Sequence, residues 1–86
     1  MSRFSAFSIP QGTYRVIRDF VDFDGTIHPP GETWRFLSHA FLPYDAGLTL
    51  FIQRDGAERS IRLQDYPDAQ GPVIDNFHEY IERVEE

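Results

Sequence analysis

Three histidines are the residues of this sequence best suited to acid–base or metal chemistry, because the chain contains no cysteine. His28 falls in a predicted turn, His39 at a strand end and His78 in a predicted helix. They share no spacing that a zinc site needs, and no catalytic motif accompanies them. We therefore predict no catalytic residue, no metal ligand and no cofactor, and a protein that is not an enzyme.

The run Asp22-Phe23-Asp24-Gly25 resembles part of a calcium-binding loop. If Gly25 took the glycine position of such a loop, Phe20 would be the first ligand and Gly31 the twelfth, and neither supplies a carboxylate. The interpretation left is structural: the two aspartates accept hydrogen bonds from backbone N–H groups of a tight turn.

A turn with unusually apolar residues is the best candidate for a binding surface. Turns are normally polar, but the segment 41–47 carries two aromatic residues and a leucine. Apolar side chains on a loop tip often form a recognition patch. The alternative is that they fold back and plug the end of a barrel, which a domain with few core positions favours. The candidate residues here are Phe41, Leu42, Tyr44 and Asp45.

The acidic charge is concentrated at the C-terminal end. The net charge is −6, and residues 65–86 hold seven acidic residues and one arginine, whereas residues 1–64 are balanced. A negative field repels nucleic acid and anionic membranes and attracts a basic protein surface. We therefore predict a protein partner with a basic surface, no membrane partner, and an interaction surface that includes Glu79, Glu82 and Glu86 of a predicted helix.

Two alternatives involve other ligands. Small β-barrels often bind nucleic acid through arginines and aromatic rings on one face, although the neutral to acidic charge disfavours phosphate contacts here. The candidate nucleic-acid face consists of Arg15, Arg35, Arg62 and Phe51. The second alternative is a small-molecule site at the barrel mouth, near Trp34, Tyr44 and His28.

Five strands in succession are predicted to position these residues. Apolar and polar residues alternate over residues 32–40, 48–53 and 60–64, and the Asp-Gly pairs at 24–25 and 55–56 are typical of hairpin turns. Residues 26–28 form a short return strand. Over residues 13–23 the alternation shifts phase at Ile17, which indicates either a β-bulge or a strand buried on both faces.

After Gly71-Pro72 the apolar residues recur at helical spacing. They are Val73, Ile74, Phe77, Tyr80, Ile81 and Val84. This stripe predicts an amphipathic helix that covers the sheet face carrying Trp34 and Phe36. The predicted fold is α+β: an antiparallel five-stranded meander, curled into a small, partly open SH3-like barrel, with one C-terminal helix. Residues 1–12 lack a period and are predicted to be a loose N-terminal arm, so that one domain spans residues 13–86.

Several motifs resemble a bacterial family of small domains of unknown function. They are Tyr14-Arg15-Val16, Asp22 to Gly25, His28-Pro29, the Gly-Glu-Thr-Trp-Arg-Phe run 31–36, the Leu-Pro-Tyr turn 42–44, the Gly-Leu-Thr-Leu-Phe run 47–51 and Ile61-Arg62-Leu63. The similarity covers residues 13–84 and implies a bacterial protein, but it implies no activity. Because no secretory signal or membrane span is recognisable, we expect a cytoplasmic protein-interaction module, such as an accessory, inhibitor or immunity-type protein.

Overall fold

The computed structural model describes residues 4–84, whose strands form two antiparallel sheets. The elements in chain order are β1 (Gly12–Val16), β2 (Phe20–Val21), β3 (Ile27–His28), β4 (Thr33–Leu42), β5 (Gly47–Arg54), β6 (Ala57–Gln64), α1 (Gly71–Asp75), a 3-10 helix (Phe77–Glu79) and β7 (Ile81–Arg83). The larger sheet has the order β6-β5-β4-β1-β7, and β2 pairs with β3 in a separate hairpin. The meander predicted from the alternating pattern is observed for β4, β5 and β6.

One face of the large sheet carries the hydrophobic core. Because side chains alternate across a strand, every second residue of β5 and β6 points to this face. The buried residues of the sheet are Tyr14, Val16, Trp34, Phe36, Leu48, Leu50, Ile52, Ile61, Leu63 and Ile81. The sheet is open, with β6 and β7 as its edges within the described range, so the predicted barrel closure is not observed.

Residues 4–12 differ from the loose arm predicted for residues 1–12. Ala6 and Ile9 are buried, and the Ala6 N–H donates to the Ile74 carbonyl at 2.9 Å. The segment has no periodic pattern because it forms no regular element before β1. Its apolar side chains are nevertheless needed, since an open sheet leaves its core face uncovered. Residues 1–3 of the predicted arm lie outside the described residues.

The C-terminal segment differs from the single amphipathic helix predicted for it. The α-helix ends at Asp75, and the chain then forms the 3-10 helix and β7, which pairs with β1. Strand pairing satisfies the free edge of β1, and the Val84 N–H adds a bond to the Thr13 carbonyl at 2.8 Å. Phe77 and Ile81 are buried all the same. The predicted inward direction of these two side chains is therefore right, and the predicted element is wrong.

A register shift in β4 changes which side chains face the core. The pairing of β4 with β5 shifts between Phe36 and Ser38, so Leu37 is the extra residue of a β-bulge. At Ile17, where the sequence pattern indicated a β-bulge or a strand buried on both faces, β1 has already ended and the Ile17 N–H donates to the Tyr80 carbonyl at 2.8 Å. The phase shift in the sequence therefore marks the end of a strand.

We expect the domain to lose stability in alkaline solution because the buried phenol of Tyr14 then ionises. Its hydroxyl donates to the Pro10 carbonyl at 2.6 Å. Burial raises the pKa of the phenol above its ordinary value of 10.0, although nearby Arg83 opposes part of this rise. The unfolded chain therefore loses the Tyr14 proton before the folded chain does, and the free energy of unfolding falls as the pH rises above about 10.

The measurement is the thermal unfolding midpoint between about pH 9 and pH 11. We expect it to fall more steeply for the wild type than for Tyr14→Phe, which has no phenol to ionise at this position. Equal slopes for the two proteins would contradict the prediction.

Candidate functional site

A buried polar network joins the β2–β3 hairpin to the large sheet. His28 lies between two carboxylates: its Nδ1 is 2.7 Å from Glu32 Oε2, and its Nε2 is 2.8 Å from Asp22 Oδ2. Glu32 also accepts bonds from Trp34 Nε1 and from an Arg54 guanidinium nitrogen, each at 3.1 Å. Asp22, His28 and Glu32 are at least nine-tenths buried.

Two tight turns bring these side chains together. Asp22 Oδ1 accepts the N–H groups of Asp24 and Thr26, each at 2.9 Å, so the structural role predicted for this aspartate is confirmed. Asp24 instead lies 3.5 Å from the Arg62 guanidinium. In the second turn Gly31 adopts a φ of 98°, and the Glu32 N–H donates to the Pro29 carbonyl at 3.2 Å. That geometry fits the type II turn in which glycine is favoured at the third position.

The hydrogen bonds engage both nitrogens of the His28 ring, because one carboxylate lies beside each of them. Because both ring nitrogens are occupied, His28 has no nitrogen free to take a proton from a substrate. Within residues 4–84 no group of His, Asp and Glu side chains is arranged to hold a metal ion.

The network also forms part of the wall of a polar cavity of about 310 Å³. On one side lie residues of the β2–β3 hairpin, and on the other lies β6. Asp24 and Thr26 of the hairpin, Arg54 and Asp55 beside the next turn, and Arg59 and Ser60 of β6 complete the lining. Sequence reasoning did not connect Asp22, His28 and Glu32. The available signal was the placement of three ionisable residues in a segment of two tight turns, within the motifs that carry the family resemblance.

The predicted apolar turn divides between the two faces of the sheet. Phe41 points to the core side and packs edge-to-face on Phe7, with ring centroids 5.1 Å apart. Leu42, the last residue of β4, is 51% exposed, and Tyr44 in the turn is 84% exposed. The side chain of Asp45 accepts the Gly47 N–H at 3.1 Å. All four predicted residues are exposed to solvent, Phe41 at 37% on the core side and Leu42, Tyr44 and Asp45 at the turn itself.

Two neighbouring segments add residues that sequence reasoning missed. The Asp65 N–H donates to the Ala46 carbonyl at 2.8 Å, so the chain leaving β6 runs beside the turn. The next residue, Tyr66, is 42% exposed. Phe23 is 48% exposed and lines a small cavity of about 80 Å³ together with Leu42. We define the turn surface as Phe23, Leu42, Tyr44, Asp45, Asp65 and Tyr66.

The predicted acidic helix face does not form. Glu79 lies in the 3-10 helix, 3.7 Å from the Arg18 guanidinium. Glu82 lies on β7, where its carboxylate forms an ion pair with Arg15. Glu86 lies outside the described residues. Because the α-helix ends at Asp75 and Glu82 lies on a strand, Glu79 and Glu82 do not share a helix, and the prediction of a helix face that carries them is wrong.

The residues of the predicted nucleic-acid face do share one face of the sheet. They lie opposite outward-facing partners: Arg35 opposite Thr13 and Gln53, Arg62 opposite Thr49, and Phe51 opposite Ser60. Arg15 is paired with Glu82, however, and Arg62 with Asp24. Among residues 4–84, Arg35 has no ion-pair partner.

The predicted small-molecule site is not assembled. Trp34 is buried near the start of β4, and Tyr44 follows the far end of the same strand, roughly 30 Å away at the rise of a β-strand. His28 does border a cavity, but with partners other than those predicted.

These features define a small, mostly β domain in which an open five-stranded antiparallel sheet is covered by a hairpin, short helices and an N-terminal segment. The family model for a domain of unknown function (DUF3601) matches residues 3–86, and the chain belongs to this family. The resemblance predicted from the sequence motifs is thereby confirmed.

A solved structure supports the same fold. An integron cassette protein from the mobile metagenome of Vibrio cholerae is similar at 33% identity and a TM-score of 0.83, over 85% of this chain and 81% of that one. The search of curated proteins found no match. No helix in the described part of the chain is long and apolar enough to cross a membrane.

Proposed function

We propose that this domain is a protein-interaction module that binds a basic partner through the turn surface. The observation that carries the proposal is the exposure of four large apolar side chains on three adjoining segments, the β4–β5 turn, the β2–β3 turn and the chain leaving β6: Tyr44, Leu42, Phe23 and Tyr66. Single exposed apolar residues are normal on a protein surface, but a group of them marks a site that another molecule covers.

The composition of the turn surface matches the anatomy of protein interfaces. Tyrosine and other aromatic residues are the side chains that most often dominate binding energy, and each buries a large area. Tyr44, at 84% exposed, has the most area to lose to a partner. Such a residue at the centre of an interface, with less exposed neighbours around it, is typical of an anchor.

The charges around the turn surface indicate which sign of charge a partner would carry. Asp45 and Asp65 lie within it, and Arg62, which lines the small cavity with Phe23 and Leu42, lies 3.5 Å from Asp24 and 5.3 Å from the centre of the Phe23 ring. A partner with arginine or lysine around an apolar centre would complement this arrangement. Complementary charges raise the association rate more than they raise the affinity.

The test begins with the domain immobilised at low salt and exposed to bacterial lysate, with retained protein and nucleic acid both identified. The purified partner is then titrated against three forms of the domain. Replacing Leu42 and Tyr44 by serine together is expected to weaken binding by about 2 kcal/mol or more, roughly thirtyfold. The matched control replaces Val21 and Ile27, an exposed apolar pair of the hairpin, by serine and should bind like the wild type.

A charge variant distinguishes long-range electrostatic attraction, which affects the association rate, from the apolar contacts, which affect the dissociation rate. Asp65→Asn should lower the association rate and its dependence on salt while leaving the dissociation rate nearly unchanged. Asp65 is chosen because the Asp45 carboxylate holds the Gly47 N–H. If the Leu42 and Tyr44 variant binds like the wild type, or if the Val21 and Ile27 variant alone loses binding, the turn surface is not the interface.

The nucleic-acid alternative has one observation in its favour, the shared face of Arg15, Arg35, Arg62 and Phe51. Two of the three arginines are already paired with acids, which reduces the positive potential that phosphate binding needs. The same low-salt experiment decides between the two functions. We expect no retained RNA or single-stranded DNA, and salt-sensitive retention that Arg35→Ala abolishes would favour the alternative.

A further inference from the structure

The edge of β6 offers backbone groups for another strand. β6 pairs with β5 on one side and is the outermost strand of the sheet on the other. The Phe23 N–H donates to the Arg62 carbonyl at 2.7 Å, so Arg62 faces away from β5. Since the N–H and C=O of a residue in an antiparallel strand point to the same side, and this side alternates, Ser60 and Glu58 also face outward. In the described chain neither residue has a backbone partner on that side.

The open part of this edge borders the polar cavity. Arg59 and Ser60 form one wall, and Asp22, Asp24 and Thr26 of the hairpin form another. The cavity, at about 310 Å³, has room for a side chain that reaches in from a strand laid against β6. The hairpin already uses the neighbouring part of the edge at Arg62, so an added strand would continue where that contact ends.

The charges beside the edge specify one feature of the added strand. Asp22 and Glu32 are hydrogen-bonded to His28, Glu32 also pairs with Arg54, Asp24 lies 3.5 Å from the Arg62 guanidinium, and Asp55 lies 4.0 Å from Arg54. Arg59 is exposed and has no ion-pair partner among residues 4–84. A residue directly opposite Arg59 would lie on the same face as its guanidinium, so an acidic side chain there would form a cross-strand ion pair.

We propose that an extended segment of a partner protein pairs with β6 at Glu58 and Ser60 and places an acidic residue opposite Arg59. The segment adds one strand to the sheet, and its main chain supplies the hydrogen bonds. A second copy of this chain is the less favourable occupant. Antiparallel pairing of two β6 strands through Glu58 and Ser60 sets Arg59 against its own copy, and like charges directly opposite are destabilising. This site adjoins the turn surface at Phe23, whose N–H occupies the next position of the β6 edge, but it uses other residues and does not depend on that proposal.

The probe is a pair of heptapeptides that favour extended structure, acetyl-Thr-Val-Thr-Glu-Thr-Val-Thr-amide and the same peptide with a central lysine. Each is titrated into the full-length, isotopically labelled domain while backbone amide resonances are followed. We expect the glutamate peptide to shift the Glu58 and Ser60 amides and to bind about two- to fivefold more tightly than the lysine peptide. Arg59→Glu should reverse this preference.

Two further variants separate edge pairing from simple charge attraction. Ser60→Pro removes an outward N–H that the sheet itself does not use, so it should abolish binding of both peptides. Ser60→Thr keeps the N–H and should bind like the wild type, and an unfolding curve of each variant verifies that it is folded. The proposal is wrong if the Glu58 and Ser60 amides do not respond, or if Arg59→Glu leaves the peptide preference unchanged. Neither outcome bears on Leu42 or Tyr44, so a failure here leaves the turn surface to its own test.

Discussion

Replacing Glu32 by alanine is expected to lower the free energy of unfolding by about 3–5 kcal/mol, because the carboxylate is the common acceptor of a buried network. His28 Nδ1, Trp34 Nε1 and an Arg54 nitrogen all donate to it. The two buried donors left without this partner, on His28 and Trp34, each cost about 1–3 kcal/mol, whereas Arg54, whose side chain is 42% exposed, adds less because water can reach it. A domain of this size has a total stability of about 5–15 kcal/mol, so the variant is expected to be only marginally folded.

The measurement is urea unfolding followed by tryptophan fluorescence, since Trp34 is the one tryptophan and lies in the network. Glu58→Ala is the matched control: it removes the same carboxylate from an exposed position and should change stability by no more than about 0.5 kcal/mol. Glu32→Gln keeps the shape and one acceptor oxygen, so its loss should fall between the two. A loss for Glu32→Ala no larger than that for Glu58→Ala would mean that the network does not hold the hairpin.

The elements whose pattern is local were the ones the sequence predicted well. β4, β5 and β6 have alternating side chains and are joined by short turns, the second at Asp55-Gly56, where Gly56 adopts a φ of 79°. Turn residues and the alternation of a strand depend on only a few neighbouring residues, so both can be recognised in the sequence. The inward set of β5 and β6 follows from the same alternation.

The buried network was missed because its contacts depend on three-dimensional turn geometry. Asp22 and Glu32 lie six and four residues from His28, and nothing in that spacing requires a meeting. They meet because Asp22 closes one turn with its own carboxylate while Gly31 allows another. Each of the two turns is therefore predictable from the sequence, but the buried network that they form together is not.

The C-terminal helix was overpredicted for a different reason. Phe77 and Ile81 are four residues apart, which places them on one face of a helix, yet the same two side chains also point inward from a 3-10 helix followed by a strand. Over so short a segment, periodicity indicates which side chains are buried but does not determine the backbone conformation. Residues 81–83 form a strand because the free edge of β1 gives them a pairing partner, and a contact so distant in the sequence leaves no local pattern.

Replacing Phe77 by alanine is the sharpest test of that packing, with an expected loss of about 3–5 kcal/mol in the free energy of unfolding. Phe77 has no exposed surface, and its ring meets Phe20 edge-to-face at 5.5 Å. Phe20 in turn stacks on the His28 ring at 4.8 Å. The space left by the deleted Phe77 ring would therefore be separated from the buried network by the Phe20 ring alone.

Phe51→Ala provides the matched control, since it deletes the same side chain from the solvent-facing side of β5, where Phe51 is 40% exposed. Urea unfolding of both variants should place Phe77→Ala far below the control, and similar losses would show that the 3-10 helix does not cover the core. Because Phe77 reaches Glu32 only through Phe20 and His28, combining Phe77→Ala with Glu32→Gln tests whether core and network act as one unit. A coupling energy of about 0.5 kcal/mol or more is expected, and strict additivity would separate them.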